Sequence, residues 1–156
     1  MISVAALLDS NVIIAILAEA HEHHAASLAL ITEGNTAAYA ISAHSYAETY
    51  NTLTRRGDRA PFRFSAAEAR AALESLRAVT KLVGLTPSQS FDAVRAFASA
   101  GRIGPQLYDA LIGEAAIAHD IPCIVTWNTR HLRALFPSVD VKTPHGFLTR
   151  PETGSS

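Results

Sequence analysis

The chain has 156 residues, of which 49% are hydrophobic and 17% are charged, and its formal net charge at pH 7 is −1. This length and apolar content are typical of one domain with a packed core, and they exclude an intrinsically disordered chain. The near-neutral charge offers no global attraction for a polyanion, so any nucleic-acid contact must depend on a local patch.

The single cysteine and the chain ends bear on location. Cys123 lies in an apolar run and is expected in the core. One cysteine cannot form a disulfide within the chain, which suits a reducing cytoplasm. The start, MISVAALLDS, lacks the basic segment of a signal peptide, and no apolar run approaches the roughly 20 residues that span a bilayer. We expect a cytoplasmic protein with no membrane contact, built as one domain over 1–148 and a flexible tail over 149–156.

Short apolar runs alternate with helical segments along the chain. The first run, 3–8, predicts a strand buried on both faces, and the polar residues Asp9, Ser10 and Asn11 after it favour a helix N-terminus. Further strands are predicted at 37–41, 81–85, 123–126 and 139–141. Helices are predicted at about 12–17, in a segment that runs to 33, and at about 42–57, 65–79, 86–101, 105–119 and 130–135. This alternation predicts an α/β fold with a mainly parallel sheet of about five strands and helices on both faces.

Three carboxylates stand between apolar residues in well-separated segments: Asp9 in AALLDSNVIIAIL, Glu48 in SAHSYAETYNTL and Asp109 in PQLYDALIGEAAIA. Burying a charged carboxylate among apolar residues costs free energy unless an opposite charge or hydrogen bonds offset it. Asp9 lies at the end of the first predicted strand, whereas Thr126 and Asn128 lie at the end of the fourth. Because ligands bind beyond the carboxyl ends of parallel strands, we expect all five side chains to share one crevice.

The chemistry of such a crevice points to a divalent cation. Two carboxylates about 4 Å apart repel each other by roughly 4 kcal/mol at an effective dielectric constant of about 20. Mg²⁺ or Mn²⁺ reverses the sign of this interaction, because both ions prefer oxygen ligands. A bound ion could polarise a phosphoryl oxygen and lower the pKa of a water molecule, which Glu48 could orient or deprotonate. The arrangement suits phosphodiester hydrolysis.

Four segments together carry a family resemblance. In order they are LLDSNVIIA, ISAHSYAETYNTLTR, LYDALIGEAAIAH and IVTWNTRHL. From 6 to 141 the chain resembles PIN-domain ribonucleases, specifically the VapC toxins of bacterial toxin–antitoxin pairs. The resemblance implies a three-layer α/β/α sandwich and a Mg²⁺- or Mn²⁺-dependent endoribonuclease that hydrolyses RNA. It also implies a homodimer and inhibition by a VapB antitoxin.

The resemblance assigns roles to individual residues. Asp9, Glu48 and Asp109 match the first three positions of the family's acidic quartet, and Ser10 and Thr126 match the hydroxyl positions that support the site. Asp9 and Asp109 are thereby expected to bind the metal ion. Glu48 is expected to bind or position water.

The fourth position of the quartet departs from the family pattern, because Asn128 stands where many members have aspartate. Asparagine still offers a carbonyl oxygen, so Asn128 is expected to assist catalysis. It adds no charge and should weaken a second metal site more than the first. It also leaves open an alternative, a PIN fold with weak or no catalysis that only binds RNA or a protein.

Basic residues near the predicted crevice are candidate RNA contacts. Arg130, His131 and Arg133 follow Asn128 directly and are expected to hold RNA phosphates. A run of arginines between 55 and 63 has two interpretations, a solvated face or a contact with RNA or antitoxin. A phosphorylated receiver domain is a further alternative, but KLVGLT offers no aspartate at the end of its third strand.

Overall fold

The computed structural model describes residues 3–149, which hold five strands and eight α-helices. The strands are β1 (Ala6–Leu8), β2 (Tyr39–Ser42), β3 (Lys81–Val83), β4 (Cys123–Val125) and β5 (Asp140–Lys142). The helices are α1 (Ser10–Leu17), α2 (His24–Thr32), α3 (Ala43–Thr54), α4 (Ala66–Val79), α5 (Pro87–Ser99), α6 (Gln106–Ala118), α7 (Thr129–Leu135) and α8 (Pro144–Leu148). None of the helices in this part of the chain is long and apolar enough to cross a membrane.

The five strands form one sheet in the order β3-β2-β1-β4-β5, and every neighbouring pair is parallel. The central strand β1 is buried throughout, which explains its continuous apolar sequence. Its alternate side chains enter two cores. Leu8 packs with Val12 of α1, whereas Leu7 packs with Ile112 of α6 and Leu132 of α7. Helices therefore cover both faces, and the predicted PIN-like sandwich is confirmed.

This topology opens a crevice at one edge of the sheet. β1 and β4 are neighbours although more than a hundred residues separate them. The chain leaves β1 into α1 on one face and leaves β4 into α7 on the other. Because the two connections diverge, the space beyond the carboxyl ends of these two strands is the usual ligand position in such sheets.

Helix starts match the local sequence signals. Ser65 and Glu68 form a complete capping box at α4, and Thr86 and Gln89 form another at α5, where Pro87 takes the first helical position. In a capping box each side chain accepts a hydrogen bond from a backbone N–H that the helix itself leaves without a partner. Both helices begin within one residue of the predicted positions.

The predicted strands were too long at several ends. Residues 3–5 lie outside β1, because 36–38 form a 3₁₀ turn, which gives them no strand to pair with. A single bond from the Ala5 N–H to the Ala38 carbonyl remains there. Helix α8, which Thr143 caps, was not predicted from the sequence. Of the predicted tail, only Thr149 is described, and 150–156 lie outside the described residues.

Candidate active site

Asp9 occupies the junction of β1 and α1. Its side chain caps α1 by accepting a hydrogen bond from the Ser10 N–H at 2.7 Å, and it accepts a second from the Thr126 hydroxyl at 2.9 Å. Only 4% of the residue is exposed. Burial raises the pKa of Asp9 to about 6; Asp109 and Glu48 push in the same direction, and the two hydrogen bonds oppose it.

Thr126 connects the ends of the two central strands. While its hydroxyl donates to Asp9, it accepts hydrogen bonds from the Asn128 N–H at 2.9 Å and from Nδ2 of Asn11 at 3.1 Å. The Asn11 side chain also accepts a bond from the Trp127 N–H at 3.1 Å. Asn11 was not predicted as a site residue. Its place in a polar triplet directly after a buried strand was the available signal.

Asp109 lies on the first turns of α6, with 18% of its side chain exposed. Its Oδ2 accepts a hydrogen bond from Nδ2 of Asn128 at 3.4 Å and lies 3.9 Å from Nδ1 of His131. Burial raises the pKa of Asp109; Glu48 adds to this effect and His131 opposes it. Contacts thus run without a break from Asp9 through Thr126 and Asn128 to Asp109.

Glu48 lies in the second turn of α3, within the helix predicted at 42–57, and its side chain reaches toward α1. The Ser10 hydroxyl donates to its Oε2 at 3.3 Å. Its Oε1 pairs with Nε2 of His44, one turn earlier on α3. This hydrogen bond raises the pKa of His44. His44 in turn stacks on Tyr108, with ring centroids 5.4 Å apart and 12° between the planes.

His44 and Tyr108 were not predicted as site residues. The signals were present but weak: His44 stands four residues before Glu48 on the same helix face, and Tyr108 stands next to Asp109. A cavity of about 220 Å³ adjoins the site at His44 and continues beyond the ends of β2 and β3.

The carboxylates are neighbours but do not form a closed set of metal ligands. Among residues 3–149, no three Asp, Glu, His or Cys side chains come close enough to hold one ion. The Asp9 and Asp109 oxygens accept protein hydrogen bonds, and Glu48 turns toward His44. The donor chemistry nevertheless fits Mg²⁺ or Mn²⁺, because the groups are carboxylate, hydroxyl and amide oxygens.

The three candidate RNA contacts differ in their surroundings. Arg130 and His131 are exposed on α7, and His131 lies beside Asp109. The Arg133 guanidinium donates to the Val141 carbonyl at 2.9 Å, so it ties α7 to β5. This backbone contact favours a structural role for Arg133 over a role in RNA binding.

The arginine run after α3 is also partly structural. The Arg56 guanidinium donates to the Thr54 and Phe64 carbonyls, and the Arg63 guanidinium donates to the Gly57 carbonyl at 2.8 Å. These bonds close the loop that joins α3 to α4. They give two of the four arginines a role that needs neither RNA nor a partner.

The structure is similar to solved structures of known proteins, each below 25% sequence identity. It resembles VapC20 of Mycobacterium tuberculosis, a toxin that cleaves the sarcin-ricin loop, with 17% identity and a TM-score of 0.67 over 83% of this chain and 94% of that one. It also resembles PAE2754 of Pyrobaculum aerophilum, with 20% identity and a TM-score of 0.60 over 94% of each chain.

A third similar structure is VapBC2 of Rickettsia felis bound to a DNA fragment from its promoter, with 18% identity and a TM-score of 0.60 over 88% of this chain and 97% of that one. The comparison with curated proteins finds no match. The model of the PIN domain family matches residues 6–136. That range is most of the chain and holds every residue of the candidate site, and the protein therefore belongs to the PIN-domain family.

Proposed function

We propose that this protein is a Mg²⁺- or Mn²⁺-dependent endoribonuclease of the VapC toxin type, with its PIN domain over 1–148. The observation that carries the proposal is the continuous contact from Asp9 through Thr126 and Asn128 to Asp109, with Glu48 beside it. Acidic groups from the β1–α1 junction, α3 and α6 thus lie near the crevice between β1 and β4. Acidic oxygens at such a position suit a cation and a phosphodiester.

Each residue has a defined part in this proposal. Asp9 and Asp109 supply the carboxylate oxygens that hold the ion, and Glu48 orients the attacking water and accepts its proton. Ser10 and Thr126 hold Asp9 and Glu48 in place through the hydrogen bonds described above. When bound, Mg²⁺ or Mn²⁺ would polarise a phosphoryl oxygen and lower the pKa of water. Attack by water would leave 5′-phosphate and 3′-hydroxyl ends.

Asn128 sets the number of ions in the proposal. Its Nδ2 donates to Oδ2 of Asp109 and also lies 2.9 Å from Nδ1 of His131. The side chain adds no negative charge to the crevice. We therefore infer one firmly held ion, with any second ion dependent on the phosphate of the substrate.

The proposed partners are RNA, a VapB-type antitoxin and a second copy of this chain, in the cytoplasm. Arg130 and His131 are exposed beside the crevice and suit RNA phosphates. Similarity to VapBC2 supports an antitoxin partner. The family resemblance implies a homodimer, and Phe91 and Val94, exposed three residues apart on α5, offer an apolar surface for it. The lone cysteine suits a reducing compartment.

The direct test of the proposal is RNA cleavage by the purified protein and by its Asp9→Asn variant. In parallel, each of the two proteins is expressed briefly in cells, and the ends of the cleaved RNA are mapped. We expect the wild type to cut at defined positions in a Mg²⁺- or Mn²⁺-dependent manner, and Asp9→Asn to leave RNA intact while still folded. Cleavage by both proteins, purified free of host nucleases, would contradict the assignment.

The competing proposal is a binding module with a PIN fold. Two observations favour it, the uncharged Asn128 and the lack of a closed set of metal ligands among residues 3–149. It predicts that RNA binding, if any, is independent of divalent ions. The endoribonuclease proposal predicts instead that Mn²⁺ binds the crevice and raises the free energy of unfolding.

A further inference from the structure

A stacked pair of rings lies beside the acidic residues and has no part in the proposed hydrolysis. Tyr108 directly precedes Asp109 on α6, and its ring centroid lies 5.4 Å from that of His44, with 12° between the planes. Tyr108 is nevertheless 49% exposed. A large aromatic side chain that packs on one neighbour and leaves half its surface open has room for a second ring.

The position of this pair is fixed from both helices. His44 pairs through Nε2 with Glu48 one turn later on α3, so its ring cannot turn freely. Tyr108 is held by α6, the helix that also positions Asp109. The His44–Tyr108 pair therefore spans the side of the crevice between two of the proposed catalytic carboxylates.

We propose that Tyr108, braced by His44, binds an unpaired nucleobase adjacent to the phosphate that is cleaved. The inference rests on the proposed endoribonuclease function and assigns a substrate subsite to the same crevice. Bases in single-stranded RNA are free to stack on aromatic side chains, whereas bases in a duplex are not. A base on Tyr108 would extend a stack that His44 has already begun.

The surroundings favour a base over other groups of the RNA. Glu48 and Asp109 flank the pair, and their negative charge repels a phosphate that approaches without a cation. A neutral ring meets no such repulsion and gains from stacking. Once a base is held there, the adjoining phosphate lies within reach of Asp109, which would fix the position of the bond that is cut.

The test measures affinity for a short single-stranded RNA that spans a mapped cleavage position. All proteins carry Asp9→Asn so that the RNA stays intact, and each is combined with Tyr108→Ala or with the matched control Tyr108→Phe. The RNA is used intact and with an abasic nucleotide at each position next to the cleaved bond. We expect Tyr108→Ala to weaken binding about 5- to 150-fold, the range for loss of one stacked base.

The decisive result is the combination of the two changes. One abasic position should weaken binding as much as Tyr108→Ala does, and the two together should weaken it no further, because both remove the same contact. Tyr108→Phe should retain that sensitivity. Independent, multiplicative losses, or equal affinities of the Tyr108→Ala and parent proteins, would overturn the inference.

Cleavage separates this inference from the proposed function. If the wild type cleaves no RNA with either ion, the proposed function fails. If it cleaves but Tyr108→Ala cleaves with an unchanged KM, only the subsite is wrong. Melting curves establish that each variant is folded, and Tyr108→Leu replaces Tyr108→Ala if the latter is not.

Discussion

The buried surroundings of Asp9 disfavour the charged form of its carboxyl group. Burial outweighs the hydrogen bonds from Thr126 and Ser10 and raises the pKa from 3.8 to about 6. The folded protein therefore binds a proton more tightly than the unfolded chain does. A cation at this position would reverse the effect, since it favours the charged carboxylate.

This raised pKa predicts how stability depends on pH in the metal-free protein. Between about pH 4 and pH 6 the folded state holds a proton at Asp9 that the unfolded chain has lost, so stability falls as the pH rises. A change from 3.8 to about 6 corresponds to a loss of roughly 3 kcal/mol. Urea denaturation in a chelator at a series of pH values measures it.

The control for this measurement is Asp9→Asn, which keeps a residue suited to capping α1 but cannot ionise. Its unfolding free energy should exceed that of the wild type at neutral pH and approach it near pH 4. Curves for the two proteins that run parallel across the whole range would show that the carboxyl group of Asp9 is not destabilised by burial.

Asn128 is the single position where restoring a charge tests the number of ions. In Asn128→Asp a new carboxylate would face Asp109 at about the present 3.4 Å contact. Without metal, repulsion between the two carboxylates should lower the unfolding free energy, by at most about 5 kcal/mol at this distance and an effective dielectric constant of about 20. The Asn128→Asp variant should bind Mn²⁺ more tightly than the wild type does. Calorimetric titration measures both proteins, and Asn128→Ala controls for loss of the amide. Equal affinity in Asn128→Asp and wild type would contradict this role.

The sequence allowed prediction of where the acidic side chains lie along the elements, but not of their partners. Asp9, Glu48 and Asp109 stand on the predicted elements because apolar flanks define those elements. His44 stacks on Tyr108 across two helices that are more than fifty residues apart, and no local pattern reports such a contact. The roles of Asp9, Glu48 and Asp109 as catalytic and metal-binding residues remain a prediction.

The α6 and α7 helices meet at a close contact that positions the site. Gly113 of α6 lies against Phe136, the C-cap residue that directly follows α7. An added methyl group at Gly113 would overlap the ring of Phe136. Because α6 carries Asp109 and α7 begins next to Asn128, the spacing of these helices sets the spacing of the two side chains.

Gly113→Ala should therefore weaken the fold and separate the two halves of the crevice. Overpacking of this kind costs about 1–3 kcal/mol, against which the better helix propensity of alanine restores less than about 1 kcal/mol. Urea denaturation measures the loss. Adding Phe136→Leu, which reduces the ring, should recover most of it. A Gly113→Ala protein as stable as the wild type would show that Phe136 moves aside without cost.

Helix starts could be predicted from sequence more accurately than strand ends. Capping residues act within one turn, so Ser65 with Glu68 predicted the start of α4. Strand ends depend on a partner strand, and β1 begins at Ala6 because its neighbour turns away before that point. The missed helix α8 has the same threonine–proline start as α5, but its five residues are too short for a periodic pattern.

The sheet order explains how distant segments build one site. Because β4 pairs with β1, the Thr126 end of one strand lies beside the Asp9 end of the other, and α3 and α6 add Glu48 and Asp109 from the two sides. The parallel sheet could be predicted from the alternation of strands and helices. The pairing of β1 with β4 depends on the whole fold and could not.

A cation that binds this crevice in the folded chain alone must stabilise the whole molecule. At about 100 times its dissociation constant, Mn²⁺ should raise the unfolding free energy by about 2.7 kcal/mol. Urea denaturation with Mn²⁺ and with chelator measures the difference.

Asp109→Asn tests the location of the ion, because it removes one proposed ligand; the Asp109 side chain is 18% exposed. Glu114→Gln is the matched control. Asp109→Asn should lose most of the stabilisation, whereas Glu114→Gln on the same helix should keep it. An equal Mn²⁺ effect in Asp109→Asn and Glu114→Gln would place the ion elsewhere, and no effect on the wild type would favour the binding module.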